Sequence, residues 1–138
     1  MKVEKKKNLQ IPEYRYAVNH ILEDKAYDVL CIEFGNYRIL NECGEPALFP
    51  SIAFDIVNNS IPNEWIIKES TEEEYDHEDD RGNSIAYIGP REFLVYQYFF
   101  VDYFDDNKEV LKIFLNYLCS NKKYKNNLFC YLKNKPYP

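Results

Sequence analysis

The chain has 138 residues, 46% of them apolar and 17% aromatic, and carries a formal net charge of −6. That length and apolar content exclude a disordered chain and favour one globular core. The acidic balance argues against a nucleic-acid binder, which gathers basic residues on one face, and no run of 18 or more apolar residues offers a membrane span.

The front, MKVEKKKNLQ, has the basic start of a signal peptide without the apolar stretch that should follow. Residues 1–10 are therefore expected to be frayed, and the protein is expected to be cytoplasmic. After Pro12, EYRYAVNHILED spaces Tyr14, Ala17, Val18, Ile21 and Leu22 on a helical stripe. Proline at the first helical position supports an N-terminal helix, although the β-branched and aromatic content leaves a strand open.

YDVLCIEF and YRILNE flank Gly35-Asn36, a pair suited to the positive φ angles of a two-residue hairpin loop. The pattern predicts strands near 28–34 and 37–42. CGEPALFP reads as a second turn with a short extended piece. SIAFDIVNN and NEWIIKES read as two further strands joined across Asn58, Asn59 and Pro62, with Trp65, Ile66 and Ile67 packed on the core. NSIAYIGP is another strand, closing on Gly89-Pro90.

The segment PREFLVYQYFFVDYFDD is too aromatic for a surface and predicts a buried helix or helix pair. Its bulk fills the space between sheet and helices, unless some of Tyr96, Tyr98 and Tyr103 reach the surface as a binding face. For the last helix, Asp106 with Glu109 three residues on forms a capping box. Leu111, Phe114, Leu115 and Leu118 then share one face. Strands first and helices last predict an α+β fold: a mainly antiparallel sheet with an N-terminal helix and C-terminal helices packed on one face. The expected organisation is a single domain, 1–138, with an acidic loop at 71–83 and a polar C-terminal extension at 122–138.

Residues 72–80, EEEYDHEDD, hold seven of the 23 carboxylates and no Lys or Arg, which leaves 16 acids against 17 bases elsewhere. The acidity of the protein is thus one local feature. A calcium loop would need glycine at position 6 and glutamate at 12. Setting Gly82 at position 6 puts Ile88 at 12, so the pattern fails. His77 is the only nearby ligand of the kind zinc prefers, so no metal or other cofactor is expected. Two readings remain. Like charges this dense make a solvated, extended connection, or they form an electronegative patch that steers a basic partner. On the second reading the contacts are Glu72, Glu73, Glu74, Tyr75, Asp76, Glu78, Asp79 and Asp80, with Tyr75 as the aromatic anchor.

Signals for catalysis are poor. Cys31, Cys43, Cys119 and Cys130 form no CxxC, and Cys31 and Cys119 sit among apolar neighbours as free core thiols do. Cys31 with His20, or Cys43 with His77, would make a nucleophile pair only if the fold brought them together. Asp102 with Asp105 or Asp106 is the one carboxylate pairing that suggests acid–base work. The nucleophile-elbow, phosphate-loop, dinucleotide and zinc-protease motifs are all missing, and no enzyme is expected.

The succession FDIVNNSIPNEWIIKE, a variable acidic insert, YIGPREFL and FFVDYFDDNKEVLKIFLNYL resembles the small bacterial immunity proteins. These are cytoplasmic antidotes encoded beside polymorphic or contact-dependent toxins. The likeness covers roughly residues 28–120. It rests on the IPNEW turn into a tryptophan-bearing strand, the short strand ending in GP before an EF-containing helix start, and the FDD capping the final helix. The resemblance implies binding rather than catalysis: neutralisation of a cognate toxin domain, such as a nuclease with a basic surface, by direct contact. It supplies no catalytic residues. The alternative from the residues alone is a small ligand-binding or enzymatic domain with a pocket between sheet and aromatic helices.

Overall fold

A computed structural model describes residues 1–7, 20–69 and 85–125. Among them run seven strands: β1 (Lys2–Lys5), β2 (Ala26–Glu33), β3 (Asn36–Leu40), β4 (Pro46–Phe49), β5 (Phe54–Asn58), β6 (Ile66–Glu69) and β7 (Ile85–Gly89). Helices α1 (Phe99–Phe104) and α2 (Lys108–Ser120) follow. Every strand pairing is antiparallel, and the architecture is α+β.

The strand order is β4-β3-β2-β1-β5, with β7 pairing β2 and β6 pairing β7. β2 therefore carries β3 along one edge, while its other edge is shared. Ala26–Asp28 hold β1, and Ile32 and Glu33 hold β7. Between those halves the β2–β3 register slips, from Val29↔Ile39 to Cys31↔Arg38. One residue, Leu30, is extra, which is the signature of a bulge. Strand side chains alternate between faces, and an extra residue reverses that alternation. Tyr27 and Val29 face one core, Leu30 and Cys31 both face the other, and Ile32 packs back on the first.

The sheet thus has a core on each face. The first is enclosed by the sheet itself. β4 and β5 lie at opposite ends of the five-strand order yet are joined by the short link Pro50–Ala53, so the sheet must curl. Phe49 and Tyr37 meet Phe54 edge-on, with ring centroids 5.9 and 6.1 Å apart. Val3, Val29, Ile39 and Trp65 fill the space beneath. Ile66 is half-buried against the opposite core, while Ile67, expected inside, is 66% exposed.

The second core lies under the helices. Pro90 starts a 3₁₀ turn, Arg91–Leu94, that points Phe93 inward. Phe93 contacts Phe99, Phe100, Phe114 and Tyr117 at centroid distances of 4.8–5.7 Å. Val110, Leu111, Phe114, Leu115 and Leu118 form the buried face of α2, as their spacing predicts. Full burial of each such side chain is worth about 1.5–3 kcal/mol.

Local details depart from expectation at several points. The hairpin loop is Phe34-Gly35, with φ of 48° and 77°, because Glu33 pairs with Asn36. The Phe34 N–H donates to Ala86 O in β7, so a third strand, invisible in a two-strand pattern, holds Phe34 at the tip. The cap of α2 is Asn107, not Asp106. Its Oδ1 accepts from the N–H groups of Glu109 and Val110. Asp106 is occupied otherwise: at φ 60° it is the left-handed residue that closes α1. Its N–H donates to Tyr103 O and that of Asn107 to Asp102 O, the two bonds of a Schellman ending.

The N-terminal helix is not part of the described structure. It falls mainly on residues 8–19, outside the described range, and its last residues, 20–24, are turns and irregular backbone with His20 and Asp24 at positive φ. Residues 2–5, expected to be frayed, form β1 between β2 and β5. The expected polar extension begins with a 3₁₀ turn, Lys122–Tyr124, that buries Tyr124. Cys31 is buried as expected, but Cys119 is exposed, because the register of α2 turns it away from the sheet.

Gly89 ends β7 where the chain passes close to β2. A Cβ there would lie 2.5 Å from Cys31 Cβ and 2.7 Å from the Tyr87 hydroxyl. Gly89→Ala is expected to destabilise the fold by about 2 kcal/mol through overpacking. The check is a urea titration, in which the midpoint should fall at unchanged slope.

Candidate functional site

The alternation of β3 decides where its one charged residue goes. Tyr37 and Ile39 face the enclosed core, so Arg38 and Leu40 face the helices. A guanidinium in that position must find partners or be expelled. Its Nε and Nη2 donate to the two carboxylate oxygens of Glu33 at 2.6 and 2.9 Å, and Nη1 donates to Pro46 O at 3.1 Å. Its flat face lies over the Phe100 ring, 4.2 Å from the centroid, a favourable cation–π placement. The Arg38 side chain is 9% exposed and that of Glu33 24%.

This ion pair forms part of the wall of a cleft of about 490 Å³ between the sheet and α1. Phe34 and Lys68 stand on the sheet side; Leu94, Gln97, Tyr98 and Val101 stand on the helix side; Phe93, Phe99 and Phe100 supply apolar wall. The volume falls within the range of small-molecule pockets. α1 sits over the sheet because Phe99, Phe100 and Tyr103 are buried beneath it. Its outer side carries Tyr98, Val101 and Asp105, all exposed, with Asp102 half-buried between them. Of the three tyrosines considered for a binding face, Tyr98 reaches the surface, Tyr96 is half-buried and Tyr103 is buried.

Beneath the cleft, the Cys31 thiol lies 3.6 Å from Glu33 Oε2. Burial, and then the Glu33 carboxylate, push this thiol well above its ordinary value, the reverse of nucleophile activation. The Tyr87 hydroxyl donates to Pro90 O at 2.7 Å, and burial raises its pKa above the ordinary tyrosine value. Burial likewise raises Tyr27, Tyr124 and Tyr117, the last to about 12. Among the described residues, no cluster of three or more His, Cys, Asp or Glu could hold a metal ion. No helix there is long and apolar enough to cross a membrane.

The sequence-derived partner residues Glu72, Glu73, Glu74, Tyr75, Asp76, Glu78, Asp79 and Asp80 lie outside the described residues, as does His77. Their attachment is defined: the segment leaves β6 at Glu69 and re-enters at Ile85, which pair with each other. Lys68 and Ala86, beside those ends, line the cleft. His20 is exposed on a turn whose carbonyl accepts from the Glu42 N–H. Asp102, Asp105 and Asp106 fall together at the end of α1, where the backbone of Asp102 and Asp106 closes the helix.

Sequence reasoning did not single out Phe34, Arg38, Val101 or Glu33. The available signal was Arg38 within the apolar run YRIL, since a buried arginine requires a carboxylate nearby. Arg38→Leu strands Glu33 and the Pro46 carbonyl. The expected loss is about 2–3 kcal/mol, at or below the usual range for a fully buried pair because Glu33 keeps some solvent. In a double-mutant cycle with Glu33→Gln, denaturant titrations should show a coupling of about 1 kcal/mol or more.

The raised tyrosines set an alkaline limit. Their folded pKa values lie above the ordinary value of about 10, so their contribution is complete below that pH. It is lost as pH rises through the folded values. Stability should fall steadily above about pH 10, and phenolate absorbance of these buried tyrosines should rise in a step that coincides with unfolding.

No protein-family model matches the chain, no curated protein matches its sequence, and no solved structure matches its fold.

Proposed function

We propose that this protein is a toxin-neutralising immunity protein, acting in the cytoplasm by direct contact with a cognate bacterial toxin domain that has a basic surface. The observation that carries the reading is the placement of charge. The net acidity of the chain is concentrated in one hairpin connection, Glu72–Asp80, of a domain otherwise close to neutral. A dense local field of this kind raises association rates with a basic partner and selects against acidic ones. A nuclease domain, basic where it grips phosphate, is such a partner. The order of sequence motifs supports the same reading.

The cleft beside α1 favours a second reading, a small ligand-binding or enzymatic domain. Its principal charges speak for binding over catalysis. Arg38 and Glu33 satisfy each other, and the Cys31 thiol beneath them is buried with its pKa raised, the reverse of an activated nucleophile.

The test begins with the toxin encoded next to this chain. Co-expression should restore growth to cells making that toxin. Replacing Glu72, Glu73, Glu74, Asp76, Glu78, Asp79 and Asp80 by Ser and Asn should slow association about tenfold or more at low salt and flatten its salt dependence. Stopped-flow mixing reads both. An unchanged rate with unchanged salt dependence overturns the steering role, and failure to protect overturns the immunity reading.

A further inference from the structure

We infer that the cleft between Phe34 and α1 is an anchor site that takes one bulky apolar side chain from a basic segment of a partner protein. The inference rests on the binding reading above and adds where and how the partner is gripped.

The lip of the cleft is exposed and largely apolar. Phe34 is 38% exposed, Tyr98 63% and Val101 60%, and all three line the cleft. Phe34 is held outward by a left-handed backbone at φ 48°, a conformation costly for a non-glycine residue. An aromatic side chain kept there, beside a cleft whose inner wall is Phe93, Phe99 and Phe100, offers contact area that the folded domain does not itself use.

Of the two cations lining the cleft, Arg38 is committed to Glu33, Pro46 O and the Phe100 ring and has little left with which to grip a charged ligand, while Lys68 stands on the sheet side. Phe93, Phe99 and Phe100 suit an aromatic or large aliphatic group. A cleft of about 490 Å³ accommodates one such side chain with some water.

Carboxylates gather on α1 beside the mouth. Tyr98, Val101, Asp102 and Asp105 follow one another at helical spacing along the outer side of α1, and Asp106 is exposed just beyond. An apolar side chain entering beside Val101 would therefore have these carboxylates on its α1 side and Lys68 on its sheet side, a balance of charge that favours lysine or arginine next to it. A small neutral molecule would make no use of that charge, whereas a basic peptide segment uses both the cleft and its rim. Apolar anchor and charged rim together are the usual anatomy of a binding hot spot.

The test uses the full chain and three synthetic heptapeptides, KRKFKRK, KRKAKRK and EDEFEDE, followed by NMR chemical shifts and calorimetry. KRKFKRK should shift the signals of Phe34, Tyr98 and Val101 and bind about tenfold more tightly than KRKAKRK. EDEFEDE should bind at least tenfold more weakly than KRKFKRK. The Tyr98→Ser/Val101→Ser variant changes exposed side chains only, and should erase the preference for Phe over Ala while leaving KRKAKRK affinity unchanged. Equal affinity for the Phe and Ala peptides overturns the anchor, as does a preference that survives in the variant. Equal binding of EDEFEDE and KRKFKRK overturns the charged rim. Failure of toxin protection with the peptide preference intact removes the immunity reading alone. Protection without any peptide preference removes this inference alone.

Discussion

The extra residue in β2 is the constraint on which the rest of the structure depends. Without Leu30 out of register, Cys31 and Glu33 would follow Tyr27 and Val29 onto the enclosed face. Glu33 would then point away from the helices, and Arg38 would face them without its carboxylate. The bulge turns the second half of β2 over, so that one strand supplies apolar side chains to two cores and a carboxylate to the cleft. It also falls between the two strands that share the far edge of β2, at the point where the pairing passes from β1 to β7. One inserted residue thereby allows a curled sheet and a second, helix-covered layer to grow from the same strand.

The cleft follows from this arrangement and from the shortness of α1. A six-residue helix covers only part of the sheet. Phe93 fills the space at its start, and Arg38 is drawn under Phe100. The cation is solvated by protein groups rather than water, which fixes the wall and removes it from chemistry. Specificity at such a site comes from shape and from the charge outside it.

Much of the fold was legible from periodicity and turn chemistry. The β2–β3 hairpin, the buried face of α2, Trp65 in the core and the strand before Gly89 all follow from local pattern. Three of the errors share a cause, since each depended on a contact with a segment distant in sequence. Phe34 sits in the loop because β7 holds it, β1 forms because β5 and β2 pair with it, and Ile67 is outside because β6 is bonded to β7. At Asp106 the competition was local, between capping α2 and closing α1. Asn107 could do the first, which left Asp106 to the second. The candidate site was legible only in part. The aromatic density of 93–104 marked the right region, but the cleft is defined by Phe34 and Arg38, which arrive from a different hairpin.

The divided edge of β2 has a bearing on how the chain is made. β1 joins β2 early, with Val3 opposite Tyr27, but Val3 with Ile56 and Ile32 with Ile88 bring in β5 and β7 only over roughly fifty residues, so neither arm of the sheet is completed before then. Pairings this distant in sequence carry a loop-closure cost and are slow to form. During synthesis the β2–β3 hairpin is complete long before either arm can be, and the part of β2 that will hold β7 waits with its backbone groups unpaired. A strand edge left open in that way is a template for unwanted association. Glu33, at the end of that edge, is the kind of charged residue that makes such an edge a poor partner for another chain. The carboxylate that later anchors Arg38 also guards the strand while it waits.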